Sequence, residues 1–276
     1  MAEAPPAARG LVMGVLNVTP DSFSDGGRFA DPQAAIAHGL AMVADGADVV
    51  DVGGESSRPG ADPVPEAEER RRVVPVVEAL APHVRVSVDT VKPAVAEAAV
   101  AAGATLINDI SSSLHGVAAS LGVGWVAMHM QGDPRTMQQA PTYDDVVAEV
   151  VDHLARCVTI AEEAGVDEVW VDPGIGFGKS LAHNLSLLRH LDRIVAIGRP
   201  VLVGTSRKSS LGRLLADSDG VGEPVPADDR LEASVATATW ALAAGASMVR
   251  VHDVLPTVQA ALVVGRPPAV AGSAGR

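Results

Sequence analysis

GVDEVWVDPG at residues 165–174 joins a small-residue turn, an apolar β-type run and a polar end, and this pattern recurs along the chain. It returns as GADVVDVGG at 46–54, GATLINDIS at 103–111 and GASMVRVHD at 245–253. Four more apolar runs complete the series, namely LVMGVLNV at 11–18, VRVSVDT at 84–90, GWVAMHM at 124–130 and RPVLVGTS at 199–206. Strands that are buried on both faces are nearly continuously apolar and rich in Val and Ile. The sequence therefore predicts eight buried strands.

A stretch with helical periodicity follows each predicted strand. The first, at 32–46, has Asp31 as N-cap, Pro32 at its first position and Gly46 at its end, all of which are common at helix boundaries. The other helices are predicted at 65–80, 93–103, 116–122, 143–165, 181–198, 228–245 and 255–265. Strands that alternate with helices form a parallel sheet. Eight such units favour a closed α/β fold, a single (β/α)8 TIM barrel, over an open doubly wound sheet.

The length of 276 residues is normal for one barrel domain, and no linker divides the chain. We expect a catalytic barrel at 11–265, a short N-terminal extension at 1–10 and a flexible C-terminal tail at 266–276. The loops after the first two strands, TPDSFSDGG at 19–27 and GGESSRPGADPVP at 53–65, are long and rich in Gly, Ser and Pro. We predict that both loops are mobile and close over the site.

Composition excludes several classes of partner. The formal net charge is −13, so binding to nucleic acid or to an anionic membrane is disfavoured. The sequence contains neither a transmembrane-length apolar run nor a signal-like start. The single cysteine, Cys157, reads as a small core residue and has no internal partner for a disulfide. These features lead us to expect a cytoplasmic protein.

Polar residues stand at the carboxyl end of every predicted strand, where the active sites of this fold are built. They are Asn17, Asp51, Asp89, Asn108, Asp109, His129, Asp172, Ser206, Arg207, Lys208, Arg250, His252 and Asp253. A single Asp at a strand end is usually a turn or capping residue, but a complete polar ring is harder to explain structurally. It suits a small flat heterocycle with an attached anion.

Three other chemistries on this fold fit the residues poorly. A zinc hydrolase would carry clustered histidines, whereas His129 and His252 stand on separate strands. A Schiff-base enzyme would place its lysine inside an apolar strand, but Lys208 follows Arg207 at a strand end. GIGFGKS at 174–180 ends like a phosphate-binding loop, yet Pro173 replaces the first glycine of that motif.

Eight segments of the chain resemble, in order, the signature blocks of dihydropteroate synthases. They are VLNVTPDSFSDGG (15–27), DVGGESSRPG (51–60), SVDT (87–90), NDIS (108–111), MHMQGDPRTMQ (128–138), DPGIGFGK (172–179), TSRKSSLG (205–212) and RVHDV (250–254). The resemblance implies condensation of 6-hydroxymethyl-7,8-dihydropterin diphosphate with p-aminobenzoate, with release of pyrophosphate. The family that the chain resembles is also the target of sulfonamides, which mimic the aminobenzoate. The departures are Ser57, where Thr is common, and Ser112 and Ser113, where a Gly is common.

The resemblance also assigns the pterin site. Asp172 would pair with the amide and amino edge of the pterin, since a carboxylate can bind such an edge through two hydrogen bonds. Asn108 and Asp89 would lie against the remaining ring positions, and Lys208 would donate to the pterin carbonyl and a ring nitrogen. Arg250 would lie on the face of the ring. We predict Asp89, Asp172, Lys208 and Arg250 as the catalytic residues.

The diphosphate and the aminobenzoate have their own predicted contacts. Arg250, His252 and Asn17 would bind the diphosphate, with Mg2+ as cofactor and Asn17 as its protein ligand. By resemblance, the p-aminobenzoate site uses Ser57, Arg58, Pro59, Phe177 and Ser209. Asp25 and Arg58 would join the site when the two loops close. The expected chemistry is dissociative, with a pterin cation formed before the amine attacks.

Two rivals remain at this point. A pterin-binding methyltransferase would share the fold and the pterin site but would not need the ESSRPG and SRKS blocks. A non-catalytic paralogue would be expected to lose the first loop, Lys208 or the pair Arg250 and His252, all of which are present. The resemblance also implies a homodimer, with the small-residue-rich helix at 228–245 as a candidate interface.

Overall fold

The structure is a computed structural model that describes residues 9–19, 32–56, 62–133 and 136–265. All eight predicted strands are present. Their bounds are β1 Leu11–Asn17, β2 Val49–Gly53, β3 Arg85–Asp89, β4 Leu106–Asp109, β5 Gly124–Met128, β6 Val169–Asp172, β7 Leu202–Val203 and β8 Met248–Val251. They pair in parallel in the order β6-β5-β4-β3-β2-β1-β8-β7. A parallel bridge between Val171 and Val201 joins the two ends of this order, which makes the sheet a barrel.

Helices surround the barrel, and ten α-helices fall within the described residues. They are α1 Pro32–Ala44, α2 Glu66–Leu80, α3 Pro93–Ala101, α4 His115–Leu121, α5 Val146–Glu163, α6 Leu181–Arg189, α7 Leu191–Val195, α8 Ser209–Asp219, α9 Leu231–Ala243 and α10 Val254–Val264. The predicted (β/α)8 TIM barrel is confirmed, with one or more helices after each strand.

Two helix predictions were wrong in detail. The helix predicted at 181–198 is broken at His190, whose φ of −113° and ψ of 32° are not helical, so it forms α6 and α7. The region after β7 contains α8 at Ser209–Asp219 in addition to α9. Helix α8 begins inside the TSRKSSLG block and is not among the eight predicted helices. The helix predicted from residue 228 begins at Leu231, after a 3₁₀ turn at Ala227–Asp229.

Side chains alternate between the two faces of each strand, as the period of two requires. Outward residues such as Val50, Val52 and Ile107 belong to the large core between sheet and helices. Inward residues form a separate apolar cluster inside the barrel, made of Met13, Val49, Leu106, Val126, Trp170, Leu202 and Met248. This cluster fills the barrel below the strand ends.

The inward face becomes polar at the next inward position of four of the strands. Two residues after Val49, Leu106, Trp170 and Met248 of the apolar cluster stand, respectively, Asp51, Asn108, Asp172 and Arg250. A step of two residues keeps a side chain on the same face, so these four polar residues share the barrel interior. The polar ring therefore has an apolar layer directly beneath it.

Asp109 points the other way and has a structural role. It is fully buried, and its carboxylate accepts hydrogen bonds from the backbone N–H groups of Ser111, Ser113 and Leu114 at 2.7–2.9 Å. Its Oδ2 also accepts from the indole N–H of Trp125 at 3.2 Å. Asp109 thus holds the loop between β4 and α4 and is no part of the ring.

The predicted N-cap Asp31, the tail 266–276 and residues 1–8 lie outside the described residues. So do residues 20–31 and 57–61 of the two loops predicted to be mobile. The flanks of the second gap are held by Lys92, whose Nζ lies 2.6 Å from Glu55 Oε2 and 2.8 Å from the Val64 carbonyl oxygen. Within the part of the chain that the structure describes, every helix is too short or too polar to cross a membrane.

Replacement of Asp109 by Asn should lower the free energy of unfolding by about 2–4 kcal/mol, because an amide offers one acceptor oxygen to several buried donors. Urea unfolding followed by circular dichroism measures the change. The exposed Asp167 provides the control, and Asp167→Asn should change stability by less than about 0.5 kcal/mol. Equal stability of the two variants would contradict the structural role of Asp109.

Candidate active site

The centre of the site is an ion-pair network on the inward face of the barrel. Arg250 Nε lies 2.6 Å from Asp51 Oδ2, and Arg250 Nη2 lies 2.7 Å from Asp89 Oδ2. Asn108 Nδ2 donates to the same Asp51 oxygen at 2.9 Å. The Arg250 guanidinium and the Asp51 carboxylate therefore join residues from β2, β3, β4 and β8. Three of the predicted site residues, Asp89, Asn108 and Arg250, are brought together here.

The sequence places Asp51 at the end of its strand but indicates no binding or catalytic role for it. The structure buries it completely and places it between Arg250 and Asn108. The alternation of side chains along β2 indicates that Asp51 points into the barrel, because it stands two residues after the inward Val49. Its other oxygen, Oδ1, is buried without a hydrogen-bond partner among the described residues.

The second part of the site lies across the barrel, between β6 and β7. Asp172 is buried at the end of β6, and its Oδ1 accepts from the backbone N–H of Gly174 at 2.7 Å. Lys208 extends from the turn after β7 and donates from Nζ to the Ile175 carbonyl oxygen. The same Nζ lies 4.5 Å from the centre of the Phe177 ring. The structure thus brings Lys208, predicted for the pterin, and Phe177, predicted for the aminobenzoate, together at the loop after Asp172.

The loop from Pro173 to Lys179 depends on glycine for its close packing. Gly174 has a φ of +65° and Gly178 one of +61°, a region that favours glycine. A Cβ at Gly174 would lie 1.9 Å from the His129 carbonyl oxygen, and one at Gly178 would lie 2.3 Å from that of Gln131. No side chain fits at either position. The glycines therefore let this loop lie directly on the loop after β5.

Lys179 fixes the same loop from below, a role that the sequence did not predict. Its buried Nζ donates to the carbonyl oxygens of His129, Gly174 and Phe177 at 2.9–3.1 Å and lies 2.9 Å from His129 Nδ1. Burial lowers the pKa of Lys179 to about 7, against the opposing effect of the Asp172 carboxylate. Burial also lowers the pKa of His129 to about 3. His129 therefore supports the loop as a neutral ring.

The predicted diphosphate residues lie at the ends of β1 and β8. His252 Nδ1 lies 3.1 Å from Ser206 Oγ, which connects β8 to the loop after β7. Asn17, Gly53 and Asp89 are register partners across β1, β2 and β3. A Cβ at Gly53 would lie 3.5 Å from the Asp89 Cβ and 3.8 Å from Asn17 Oδ1. The absence of a side chain at Gly53 thus keeps the space between Asn17 and Asp89 open.

Of the predicted aminobenzoate and loop residues not yet located, Ser209 lies within the described part of the chain. Ser209 is exposed and begins α8 directly after Lys208. Asp25, Ser57, Arg58 and Pro59 lie outside the described residues.

Ser112, one of the departures from the family pattern, has a φ of +54°, and its Oγ lies 2.9 Å from both the backbone N and O of Met128. A left-handed backbone explains why glycine is common at that position.

Burial controls the charges of the site. It raises the pKa of Asp89 to about 7, against the effect of Arg250, and the charge of Asp51 adds to the rise. Burial also raises the pKa of Asp172, with Lys208 opposing. For Lys208, burial lowers the pKa to about 8, and Asp172 opposes. Burial would lower the pKa of Arg250, but the Asp51 and Asp89 carboxylates raise it above its ordinary value. Desolvated carboxylates of this kind gain from a cationic ligand.

Among the described residues, no group of three or more His, Cys, Asp or Glu side chains could hold a metal ion. Mg2+ needs no such group, because it keeps several waters and takes only one or two protein oxygens in addition to substrate phosphates. The amide oxygen of Asn17, at the open space beside Gly53, is of that chemistry.

Comparison with known proteins agrees with this geometry. A family model described as "pterin binding enzyme" matches residues 13–252. Dihydropteroate synthase from Escherichia coli (strain K12) is 49% identical over 265 residues, which cover 92% of this chain and 90% of that protein. A Yersinia pestis dihydropteroate synthase solved with a sulfonamide drug has a TM-score of 0.85 and 46% identity, covering 93% of each chain. A Xanthomonas albilineans dihydropteroate synthase solved with 4-aminobenzoic acid has a TM-score of 0.83 and 49% identity, covering 92% of each chain.

Replacement of Arg250 by Met should lower the free energy of unfolding by about 3–5 kcal/mol at pH 8, because two buried carboxylates lose their counter-charge. The loss should shrink as the pH falls, since protonation neutralises the Asp89 carboxylate, whose pKa is already raised to about 7. Urea unfolding at pH 8 and pH 5.5 checks both statements.

The control for this variant is Arg85→Met, which breaks the half-exposed pair of Arg85 and Glu168 at the other end of the barrel. Its cost should stay below about 1 kcal/mol. A loss in Arg250→Met that is as small as the control, or that grows at low pH, would contradict the ion-pair network.

Proposed function

This chain belongs to the dihydropteroate synthases, a family of pterin-binding enzymes, and we propose how its own residues perform the reaction of that family. The reaction is the condensation of 6-hydroxymethyl-7,8-dihydropterin diphosphate with p-aminobenzoate to 7,8-dihydropteroate and pyrophosphate. The observation that supports the residue roles best is the group of polar inward side chains above the apolar layer of the barrel. There Arg250 and Asn108 share the Asp51 carboxylate.

The pterin would lie on this group, with its polar edge toward Asp172. A carboxylate can accept from the ring N–H and the amino group of the pterin at once. Asn108 offers both a donor and an acceptor to the neighbouring ring nitrogens. Lys208 would move from the Ile175 carbonyl oxygen to the pterin carbonyl and a ring nitrogen, a short reach because its Nζ already lies at the loop that follows Asp172. Asp89 would face the dihydro ring.

The diphosphate would extend toward the ends of β8 and β1. Barrels often bind phosphate beside strands 7 and 8, which adjoin strand 1 when the barrel closes. We assign this role to Arg250 on β8, to His252 directly after β8 and to Asn17 at the end of β1, because β8 and β1 are paired. Mg2+ would be held by Asn17 together with substrate oxygens, and it supplies charge neutralisation to the departing pyrophosphate.

The bond change is a displacement at the CH2 carbon of the pterin. We propose that the C–O bond to the diphosphate breaks first and that the electron-rich ring carries the positive charge. The desolvated carboxylates of Asp89 and Asp172 favour that charge. The arylamine of p-aminobenzoate is neutral near pH 7, so no general base is needed before it attacks. The barrel residues thus act by position and electrostatics.

The aminobenzoate would bind outside the pterin, against Phe177 and the start of α8 at Ser209. The Phe177 ring is half-buried and already packs against Lys208, so it offers an apolar wall at the mouth of the pterin site. Ser57, Arg58 and Pro59 as further contacts, and loop closure with Asp25 and Arg58, stay predictions. The sulfonamide and 4-aminobenzoic acid bound to the Yersinia and Xanthomonas relatives support inhibition of this enzyme by sulfonamides.

A homodimer and a cytoplasmic location also stay predictions. The homodimer gains support from α9 and α10, which expose large apolar side chains to solvent. The exposed side chains are Leu231 and Trp240 of α9 and Leu255, Leu262 and Val263 of α10. Neighbouring exposed apolar residues of this kind are typical of protein–protein interfaces.

Purified protein with dihydropterin diphosphate and Mg2+ should release pyrophosphate, and addition of p-aminobenzoate should couple the release to dihydropteroate formation. Lys208→Ala should lower kcat/KM for the pterin substrate by about 100-fold or more, because a charged hydrogen-bond donor to the ring is lost. The exposed Arg213 of α8 gives a control, since Arg213→Ala also removes a cation but should leave kcat/KM within about twofold.

A slow release of pyrophosphate without p-aminobenzoate supports the dissociative order. Strict dependence of C–O cleavage on the amine would exclude it while leaving the overall reaction intact. If folded protein binds a pterin but releases no pyrophosphate under either condition, the proposed roles fail.

The pH profile of kcat/KM for the pterin substrate should be bell-shaped. Activity should fall below about pH 7, where Asp89 takes up a proton, and above about pH 8, where Lys208 loses one. In Asp89→Asn the residual activity should lose the acidic limb, and in Lys208→Arg the alkaline limb should move upward. If the acidic limb persists unchanged in Asp89→Asn, or the alkaline limb in Lys208→Arg, that limb reports the titration of another group. The assignment of the limb to Asp89 or to Lys208 is then wrong.

A further inference from the structure

The turn that precedes Lys208 contains a residue in an unfavourable backbone conformation. Lys208 donates its backbone N–H to the Thr205 carbonyl oxygen at 3.2 Å, which closes a four-residue turn with Arg207 in third place. Arg207 has a φ of +58°. A positive φ at the third position of a turn normally calls for glycine, and it reduces the population of an L side chain roughly five- to thirtyfold. Strain of this kind persists only where the surroundings impose it.

Three neighbours hold Arg207 in this conformation. Its backbone N–H donates to Ser234 Oγ at 3.0 Å, and its carbonyl oxygen accepts from Arg230 Nη1 at 2.8 Å. Its guanidinium pairs with Asp253 through two contacts of 2.5 and 3.1 Å. The holding groups come from α9, from the residue before α9 and from the residue before α10. They therefore fix both the backbone and the side chain of Arg207.

The holding group Arg230 is itself immobilised. It is buried, and its Nε donates to the Val225 carbonyl oxygen at 2.7 Å. A Cβ at Gly212 of α8 would lie 2.5 Å from the same nitrogen, so the guanidinium packs directly beneath that helix. Ser234 Oγ also donates to the Arg230 carbonyl oxygen at 2.6 Å. Arg230 thus connects α8, the start of α9 and the turn in one rigid unit.

We propose that Arg207 is a positioning residue for the pterin site. Its left-handed backbone sets the direction in which the adjacent Lys208 leaves the barrel wall, so that the ammonium group reaches the loop after Asp172. This inference rests on the proposed role of Lys208 in pterin binding. The pair with Asp253 offsets the cost of the conformation, and the contacts with Arg230 and Ser234 prevent the turn from relaxing.

Glycine and alanine at position 207 separate backbone from side chain. Both remove the guanidinium, but only glycine adopts a positive φ without penalty. Arg207→Ala should weaken binding of 6-hydroxymethylpterin, measured by titration calorimetry, by about tenfold. Arg207→Gly should stay within about threefold of the wild type, because glycine has no conformational cost for the ion pair to offset. Arg213→Ala, on the exposed face of α8, is the arginine control and should bind as the wild type does.

A second comparison tests whether Arg207 acts through Lys208. In a Lys208→Ala background, Arg207→Ala should cause no further loss of affinity, since the positioned group is gone. Ser234→Ala, a milder change that removes one backbone contact of Arg207, should weaken binding in the same direction and give an answer even where Arg207→Ala folds poorly.

Three results would overturn the inference. They are wild-type affinity in Arg207→Ala, equal weakening in the Ala and Gly variants, and full additivity with Lys208→Ala. Pyrophosphate release by the wild-type protein is measured alongside. Failure of that release counts against the proposed function, whereas the ratio between the Ala and Gly variants concerns Arg207 alone.

Discussion

Arg250 lies between Asp51 and Asp89 inside the barrel, and most of the site depends on this arrangement of buried charge. An unpaired ion in such a place costs several kcal/mol, so the guanidinium and the two carboxylates must be kept in register by the strands that carry them. The parallel barrel does this because Asp51, Asp89 and Arg250 project inward from β2, β3 and β8, on either side of β1. Asn108 then completes the coordination of Asp51 from β4.

The loops around this centre are fixed by buried polar residues. Asp109 accepts hydrogen bonds from backbone N–H groups of the loop after β4, and Lys179 donates to carbonyl oxygens of the loop after β6. In both cases one charged side chain satisfies backbone groups that would otherwise be buried without partners. The result is a preformed wall of loops that carries Phe177 in contact with Lys208. Catalysis that relies on position and electrostatics needs a wall of this kind.

The same burial gives the site its chemical character. It raises the pKa of Asp89 to about 7 and lowers that of Lys208 to about 8, so both groups are charged together only in a narrow pH range. In the dissociative step that we propose, positive charge that develops on the pterin ring would be stabilised by the carboxylates, and the departing pyrophosphate would be stabilised by the cations. The polarity of the site therefore matches the charge separation of the proposed step.

The sequence by itself determined the number and order of the strands, the barrel class and the family, because buried parallel strands carry a strong apolar signal and eight motif blocks occur in order. It also placed Asp89, Asn108, Asp172, Lys208 and Arg250 at strand ends, where the barrel brings them together. The sequence did not reveal Asp51 as the centre of the ion network, Lys179 as the loop support or the left-handed Arg207. It also missed α8 and the break at His190. The roles of Asp51, Lys179 and Arg207 depend on which distant groups come within hydrogen-bond distance of each other, and local periodicity contains no such information. Only the closed barrel, which brings β8 next to β1 and the loop after β7 against α9, decides those contacts.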